Sequence, residues 1–340
     1  MANKVLFAVI VAAVFQAAIL VRGVDAMESF KWLPTESAPR EFPMEIVEAQ
    51  LIFSDGTFIY MPSNKIINNG WGKIGSTHIG GQELMQVPQT LSITWFSYAE
   101  DKFYSGKFSL PQANMYELFR RGLTSPIDRK AITYSRIVVG MAPEGWVSIW
   151  LAAQGVTLEV ATFKAEQANF EWAHFKRNSD ILREEYVSRM LKSTLSSEQV
   201  SMISERGVPA GLYEIYATRY SWSPEVNGSI LLRRMWIEAL NGEVEHVQFP
   251  ATRLRTSRAV PLHFDVDWTS ASKRRLNAQI ELDEEEAMKA FDKMNRLGGK
   301  EEMKLRLDIG DEDTDIDIFL AKENFIFKFE KARTNIYKGG

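Results

Sequence analysis

Apolar and polar residues alternate in VPQTLSITW, positions 87–95, so that Leu91, Ile93 and Trp95 share one face of a strand. The same alternation returns in VPLHFDVDW, positions 260–268. Aligned on Val87 and Val260, the two copies are offset by 173 positions, which sets Trp95 on Trp268 and Ser97 on Ser270. With one position lost in the following turn, Leu110 falls on Leu282 and Phe119 on Phe291. Further on, WVSIWLA at 146–152 lies over DIDIFLA at 315–321, with Ile149 on Ile318 and Leu151 on Leu320. A period of two shared over so many positions marks an internal duplication, each copy setting one face of its strands on a core.

Both copies predict the same order of elements. A hairpin opens the unit, with YAEDK as its turn and FYSGKFSL as the return strand in the first copy. A helix follows, begun by Pro111 in one copy and by Asp283 with Glu286 three residues later in the other, a capping box. Its buried stripe is Met115, Leu118 and Phe119, repeated as Ala287, Phe291 and Met294. Three strands come next, at 134–140, 146–152 and 156–163, with MAPEG as the first turn. Two strands, EIVEAQLIF and TFIYM, precede the first unit and are joined by Ser54-Asp55-Gly56, a hairpin turn. Their counterparts are placed in LYEIYATRYSW and ILLRRMWIEAL, where identity is low. Between the units, Ile181, Leu182, Tyr186, Val187, Met190 and Leu191 share a helical face over 179–192, and Ser196 with Gln199 caps a shorter helix ending at Gly207. The fold expected is α+β: two related lobes, each an antiparallel sheet with a helix packed on one face, joined by a helical connector, with a groove or shared face between them. The divisions are 1–26 as a signal peptide, 27–176 as the first lobe, 177–207 as the connector and 208–340 as the second lobe.

Composition adds an address to this plan. A length of 340 residues suits two domains, and 45% hydrophobic residues with 11% aromatics supply two cores. A formal charge of −4 gives no general attraction to nucleic acid or anionic lipid. Lys4 precedes an apolar run at 5–21 broken only by Gln16, and Val24-Asp25-Ala26 suits a signal peptidase, so cleavage after Ala26 is expected. The rival is an uncleaved inner-membrane anchor. The chain has no cysteine, which excludes disulfides, thiol catalysis, thiolate metal sites and a lipid anchor through an amino-terminal cysteine. An exported chain without disulfides suits a bacterial periplasm.

Candidate chemistry is sparse. Gly70-Trp71-Gly72-Lys73-Ile74-Gly75 fits G-x-G-x-x-G, but the continuation STHIGG is no helix start, so a flexible surface loop is expected there. No G-x-S-x-G occurs, and His78, His174, His246 and His263 are scattered singly, so neither a catalytic triad nor a metal or cofactor is implied. The acidic run Asp308, Asp311, Glu312, Asp313, Asp315, Asp317 matches a calcium loop for five positions. It then places Ile316 where glycine is needed and Lys322 where glutamate is needed. A hairpin tip is the better reading, with Asp311, Glu312, Asp313 and Asp315 as an acidic knob for a partner. Opposing it are Arg253, Arg255, Arg258, Lys273, Arg274 and Arg275, either a solubilising set or a partner-facing patch. Trp146 and Trp150 flank Ser148 on one side of a strand, which is either buried on both faces or open for stacking on a sugar.

DGTF, GWGKIG, LPQANMYELF and YSRIVVGMAPEGWVSIWL resemble an uncharacterised bacterial envelope family, domain of unknown function 2931, across the first half of the mature chain through EWAHF. The resemblance implies export and supplies no catalytic residues. Many members carry a lipid-anchoring cysteine, which is missing here. Some members are similar to immunity proteins encoded beside type VI secreted lipase toxins. The implied function is that of a non-enzymatic periplasmic binding protein that neutralises a secreted (phospho)lipase toxin by covering its active face. The alternatives are an envelope glycan- or small-ligand-binding protein using Trp71, Trp146 or Trp150, and an enzyme built on an acid pair brought together only in space.

Overall fold

The computed structural model describes residues 28–76, 83–176, 181–250, 257–297, 299–310 and 315–338, and the expected signal at 1–26 lies outside them. The fold is α+β with mostly antiparallel sheets, and the sequence repeat is visible in the register of its strands. In the first copy, Thr90–Ser97 and Lys102–Ser109 form a hairpin flanked by Met44–Ile52 on one side and Glu166–Ala168 on the other. In the second, Pro261–Ser270 and Arg275–Glu281 form a hairpin flanked by Ile230–Ala239 and Arg333–Lys338. Trp95 stands opposite Tyr104 as Trp268 stands opposite Leu276, and Leu91 opposite Phe108 as Phe264 opposite Ile280. Both tryptophans are completely buried.

The helices repeat too. Gln112–Arg121 buries Met115, Leu118 and Phe119; Glu284–Arg296 buries Ala287, Ala290 and Phe291, three positions related to the first set by the same shift of 172, and Met294 beside them. Asp283 caps the second helix, its carboxylate accepting the Glu286 N–H at 2.9 Å, whereas Pro111 starts the first without a side-chain cap.

The strands after each helix belong to a different sheet from the hairpin. Arg136–Met141, Trp146–Ala153 and Val156–Lys164 form an antiparallel meander, with Leu33–Ser37 added in parallel beside the first strand. Met303–Ile309, Ile316–Lys322 and Phe325–Lys328 repeat it, with Tyr220–Asn227 added in parallel. Each lobe therefore closes two sheets and a helix around its own core, one including Trp95, Phe119 and Ile149, the other Trp268, Phe291 and Leu320. This corrects the placing of LYEIYATRYSW. Leu212–Ala217 is a short helix, because Leu212, Tyr213 and Tyr216 turn one helical face inward, and Tyr220–Asn227 matches Leu33–Ser37.

The lobes are not held apart by the connector. The first meander and the second hairpin sheet run together as one nine-stranded sheet, joined where Thr157 of Val156–Lys164 meets Val244 of Val244–Gln248. Two cores thus share a sheet. The connector helices are Arg183–Thr194 and Ser197–Arg206, the latter opened by the expected box in which Gln199 N–H donates to Ser196 Oγ at 3.2 Å and Gln199 Oε1 accepts the Ser196 N–H at 3.0 Å. Val187, Tyr186, Met190 and Leu191 of the first helix lie on Phe96, Tyr98 and Phe103, the outer side of the first hairpin. Leu182 precedes that helix and is exposed, so it leaves the apolar stripe assigned to it. Among the described residues, no helix is long and apolar enough to cross a membrane.

Candidate functional site

Residues directly opposite each other in neighbouring strands point to the same side of a sheet, so the pairing defines each face. On the outer side of the second hairpin sheet it gives three cross-strand rows. The first is Gln248, Arg234, Asp267, Asn277 and Tyr337; the second is His246, Trp236, Asp265, Gln279 and Asn335. The third is Val244, Glu238, His263, Glu281 and Arg333. The intervening residues Met235, Val266, Trp268, Leu276, Ala278 and Ile280 are buried in the core. The face is almost wholly polar, and among the described residues no layer covers it as the connector covers the first lobe.

The corresponding face of the first lobe is closed. Its end row is Glu45, Phe96, Phe103 and Ala168. The aromatic pair Phe96 and Phe103 stands where the second copy has Thr269 opposite Arg275. Trp172, Phe175 and Tyr186 pack over it, with ring centroids 5.5 Å apart for Phe96 and Trp172. Arg183 sits 5.5 Å from the rings of Phe96, Phe103 and Trp172 and pairs with Asp101 at 2.7 Å. Lys176 and Tyr98 both donate to the buried Glu45 carboxylate, at 2.7 and 2.5 Å.

On the open face Arg234 pairs with Asp267, whose other oxygen accepts from Asn277 at 2.6 Å. Trp236 packs on His246 at 5.2 Å between ring centroids. Burial lowers the His246 pKa, Arg234 lowers it further, and its Nε2 is buried without a partner, so the neutral ring is favoured. Desolvation raises the Asp265 pKa. The 126–129 turn of the first lobe rims this face. Ser125 Oγ shapes it by accepting the Ile127 and Asp128 N–H groups at 3.2 Å, and Arg129 takes a positive φ of 61°. The resulting groove has a volume of about 770 Å³. Arg129, Arg233, Arg234, Arg275 and Lys338 gather at this end. The far end carries Glu238 and Glu281, with Glu281 bound to Arg333 at 2.5 Å. The groove is therefore polarised along the strands. It can hold a partner by paired charges and amide hydrogen bonds. Among the described residues, no three histidine or carboxylate side chains gather as metal ligands.

The glycine-rich stretch at 70–75 has a structural role instead. Gly72 and Gly242 meet backbone to backbone, a Cβ on Gly72 falling 2.5 Å from the Gly242 carbonyl oxygen, and both have positive φ, 72° and 80°. The neighbouring Trp71 packs with its ring centroid 4.8 Å from Trp150 and 4.9 Å from Tyr213. Lys73 pairs with Glu238 of the second lobe at 2.7 Å. The expected flexible surface loop is thus a clasp between lobes, fixed because two glycines allow contact that side chains would block. Behind it, Trp150 Nε1 donates to the Asn241 carbonyl at 3.0 Å, and Asn241 donates to Glu159 at 2.9 Å. Arg219 reaches Glu243 at 2.6 Å and Glu159 at 3.9 Å. Burial pushes the Glu159 pKa up to about 7, opposed by the Asn241 hydrogen bond.

The sequence-derived partner residues scatter. Asp311, Glu312, Asp313 and Arg255 lie outside the described residues, as does Arg253. Asp315 is exposed at the foot of the tip joining Met303–Ile309 to Ile316–Lys322. Its neighbours Asp308 and Asp317 are tied to Arg306 and Lys328 at 3.1 and 2.9 Å. Arg258 is internal: only 3% exposed, it pairs with Glu245 through two nitrogens at 2.8 and 3.0 Å, donates to the Trp222 carbonyl at 2.9 Å and lies over the Trp222 ring. It holds strands together and is not available to a partner. Arg274 is exposed at the hairpin turn, and Arg275, alone of the described members of the set, lines the groove. Trp150 is fully buried, and Trp146 is half-buried with its Nε1 bound to Ser148 at 3.1 Å, so that strand is covered on both sides. Arg234, Trp236, Asp265 and Asp267 were not singled out by sequence, although the alternation of His263, Asp265 and Asp267 carried the signal.

Fold and site together define a two-lobed α+β protein whose lobes repeat one strand order, with one hairpin-sheet face covered and, among the described residues, its counterpart open. The family described as protein of unknown function (DUF2931) matches residues 21–211, and the chain belongs to it. The open face lies beyond the matched part. No curated protein and no solved structure matches the chain.

Proposed function

We propose that the protein is an exported, non-enzymatic binding protein whose working surface is the open face of the second hairpin sheet. Its partner in this reading is a secreted lipase-type toxin, as the resemblance of some family members to immunity proteins suggests, and the meeting place is the periplasm. The observation that carries the reading is the contrast between copies: where the first lobe has Phe96 and Phe103 under Trp172, the second has Thr269 and Arg275 beside a charged groove. A blocking protein needs complementary area and charge rather than a reactive group, and a standard interface of about 1,600 Å² is within reach of two lobes. The basic end speeds encounter with an acidic partner surface, and the Arg234–Asp267 and Glu281–Arg333 pairs fix its register.

The test is genetic. A strain lacking this gene and a neighbouring lipase-like gene should die when the lipase alone is restored to its periplasm, and survive when both are restored. Normal growth with the lipase alone would remove the immunity reading. In the glycan-binding alternative Trp150 offers no surface, being fully buried, and Trp146 is half-buried with its indole N–H given to Ser148.

A further inference from the structure

A second concavity lies between the lobes, beside the acidic end of the open face, and has a volume of about 540 Å³. One wall is aromatic: Trp71, Tyr213 and Tyr216 are in series, with ring centroids 4.9 and 5.4 Å apart. Phe42, Leu240 and Leu262 extend the apolar lining. Four carboxylates, Glu41, Glu238, Glu243 and Glu284, face two cations, Arg40 and Lys73, which leaves the lining two charges negative. Lys73 neutralises Glu238 at 2.7 Å, and Arg219, from outside the lining, neutralises Glu243 at 2.6 Å, which leaves Glu41 and Glu284 against Arg40, one negative charge in excess. Glu41 and Glu284 have no ion pair among the described residues; Glu284 only accepts the Tyr216 hydroxyl, at 2.5 Å. Burial chiefly, and then the charges of Glu284 and Glu41, raise the Tyr216 pKa, which places both carboxylates near the phenol.

An apolar wall with excess negative charge disfavours phosphates and carboxylates. A neutral sugar would leave the excess carboxylate charge unbalanced. The electron-rich faces of indole and phenol attract cations, most strongly where water is partly excluded. We propose that this interlobe cleft binds a small organic cation, an alkylammonium group seated between Glu41 and Glu284 with its hydrocarbon on Trp71, Tyr213 and Tyr216. The site adjoins the open face, sharing Glu238 and His263 with its third row, and takes a different ligand from the macromolecular partner assigned there.

Choline and its neutral carbon analogue 3,3-dimethylbutan-1-ol distinguish charge from shape. With the full chain, choline should change tryptophan fluorescence saturably, because Trp71 is in the wall, and the neutral alcohol should bind roughly tenfold more weakly or worse. Glu41→Gln with Glu284→Gln should weaken choline by about tenfold and leave the alcohol unchanged, since glutamine still accepts from Tyr216. An unchanged melting temperature for the double variant shows that the fold persists. A flat choline titration, equal binding of choline and the alcohol, or a double variant that binds choline as the parent does would each overturn the proposal.

Discussion

The outer faces of the two hairpin sheets come from the same strand pattern and differ in what covers them. In the first lobe, Phe96 and Phe103 lie under the connector and a cage of aromatic rings. In the second, Thr269 and Arg275 occupy those places, and rows of Arg, Asp, Asn and Gln take over the rest. An antiparallel sheet is stable with one face in water, so the second copy has no structural need of a lid. One copy has spent its outer face on holding the connector; the other keeps that face free. The difference teaches that one strand pattern can be finished in two ways, packed under a connector in the first lobe and left polar in the second.

The largest effect should come from the covered face. Phe96→Ala should cost about 3–5 kcal/mol in urea unfolding, while Thr269→Ala at the matching position stays within about 0.5 kcal/mol. Similar costs at both positions would erase the contrast. Next, Arg258→Ala should destabilise by about 3–5 kcal/mol, because it strands the Glu245 carboxylate beneath the open face. Arg275→Ala, on the surface, should leave the unfolding midpoint nearly unmoved.

The junction gives a smaller, pH-dependent effect. The Glu159 carboxyl has its pKa raised from 4.5 to about 7, so between those values the folded protein keeps a proton that the unfolded chain has lost. Stability therefore falls as pH rises through that window, by at most about 3 kcal/mol, and is level above it. Glu159→Gln should flatten this slope in melting temperature against pH, and a slope that survives would assign it elsewhere. Arg234→Ala should cost below about 1 kcal/mol in stability, because its pair with Asp267 is exposed. Its expected effect is on the rate of partner association, most visible at low salt.

Much of the fold was legible because the duplication carried its register with it. Trp95 and Trp268, with the helix positions Phe119 and Phe291, fixed the hairpin and its helix in both copies. The connector's capping box was equally readable from Ser196 and Gln199. What escaped depends on contacts that no local pattern encodes. The sheets of the two lobes join through the single pair Thr157 and Val244. The clasp brings Trp71 to Tyr213 and Gly72 to Gly242 across long sequence separations, so GWGKIG looked like a loose loop. Arg258 looked like part of a basic surface because its burial depends on Glu245 of a neighbouring strand and on Trp222. The open face was half legible: His263, Asp265 and Asp267 alternate with core residues, but a water-facing strand and a partner-facing strand share that pattern.

The most direct measurement is calorimetric titration of the lipase-type toxin proposed as partner into the parent protein, the Arg234→Ala/Trp236→Ala/Arg275→Ala variant, and a control carrying Lys107→Ala on the first lobe. Loss of roughly a hundredfold or more in affinity for the triple variant, at unchanged melting temperature and with the control binding as the parent does, is the predicted result. Undiminished affinity in the triple variant would contradict the assignment of the open face as the working surface.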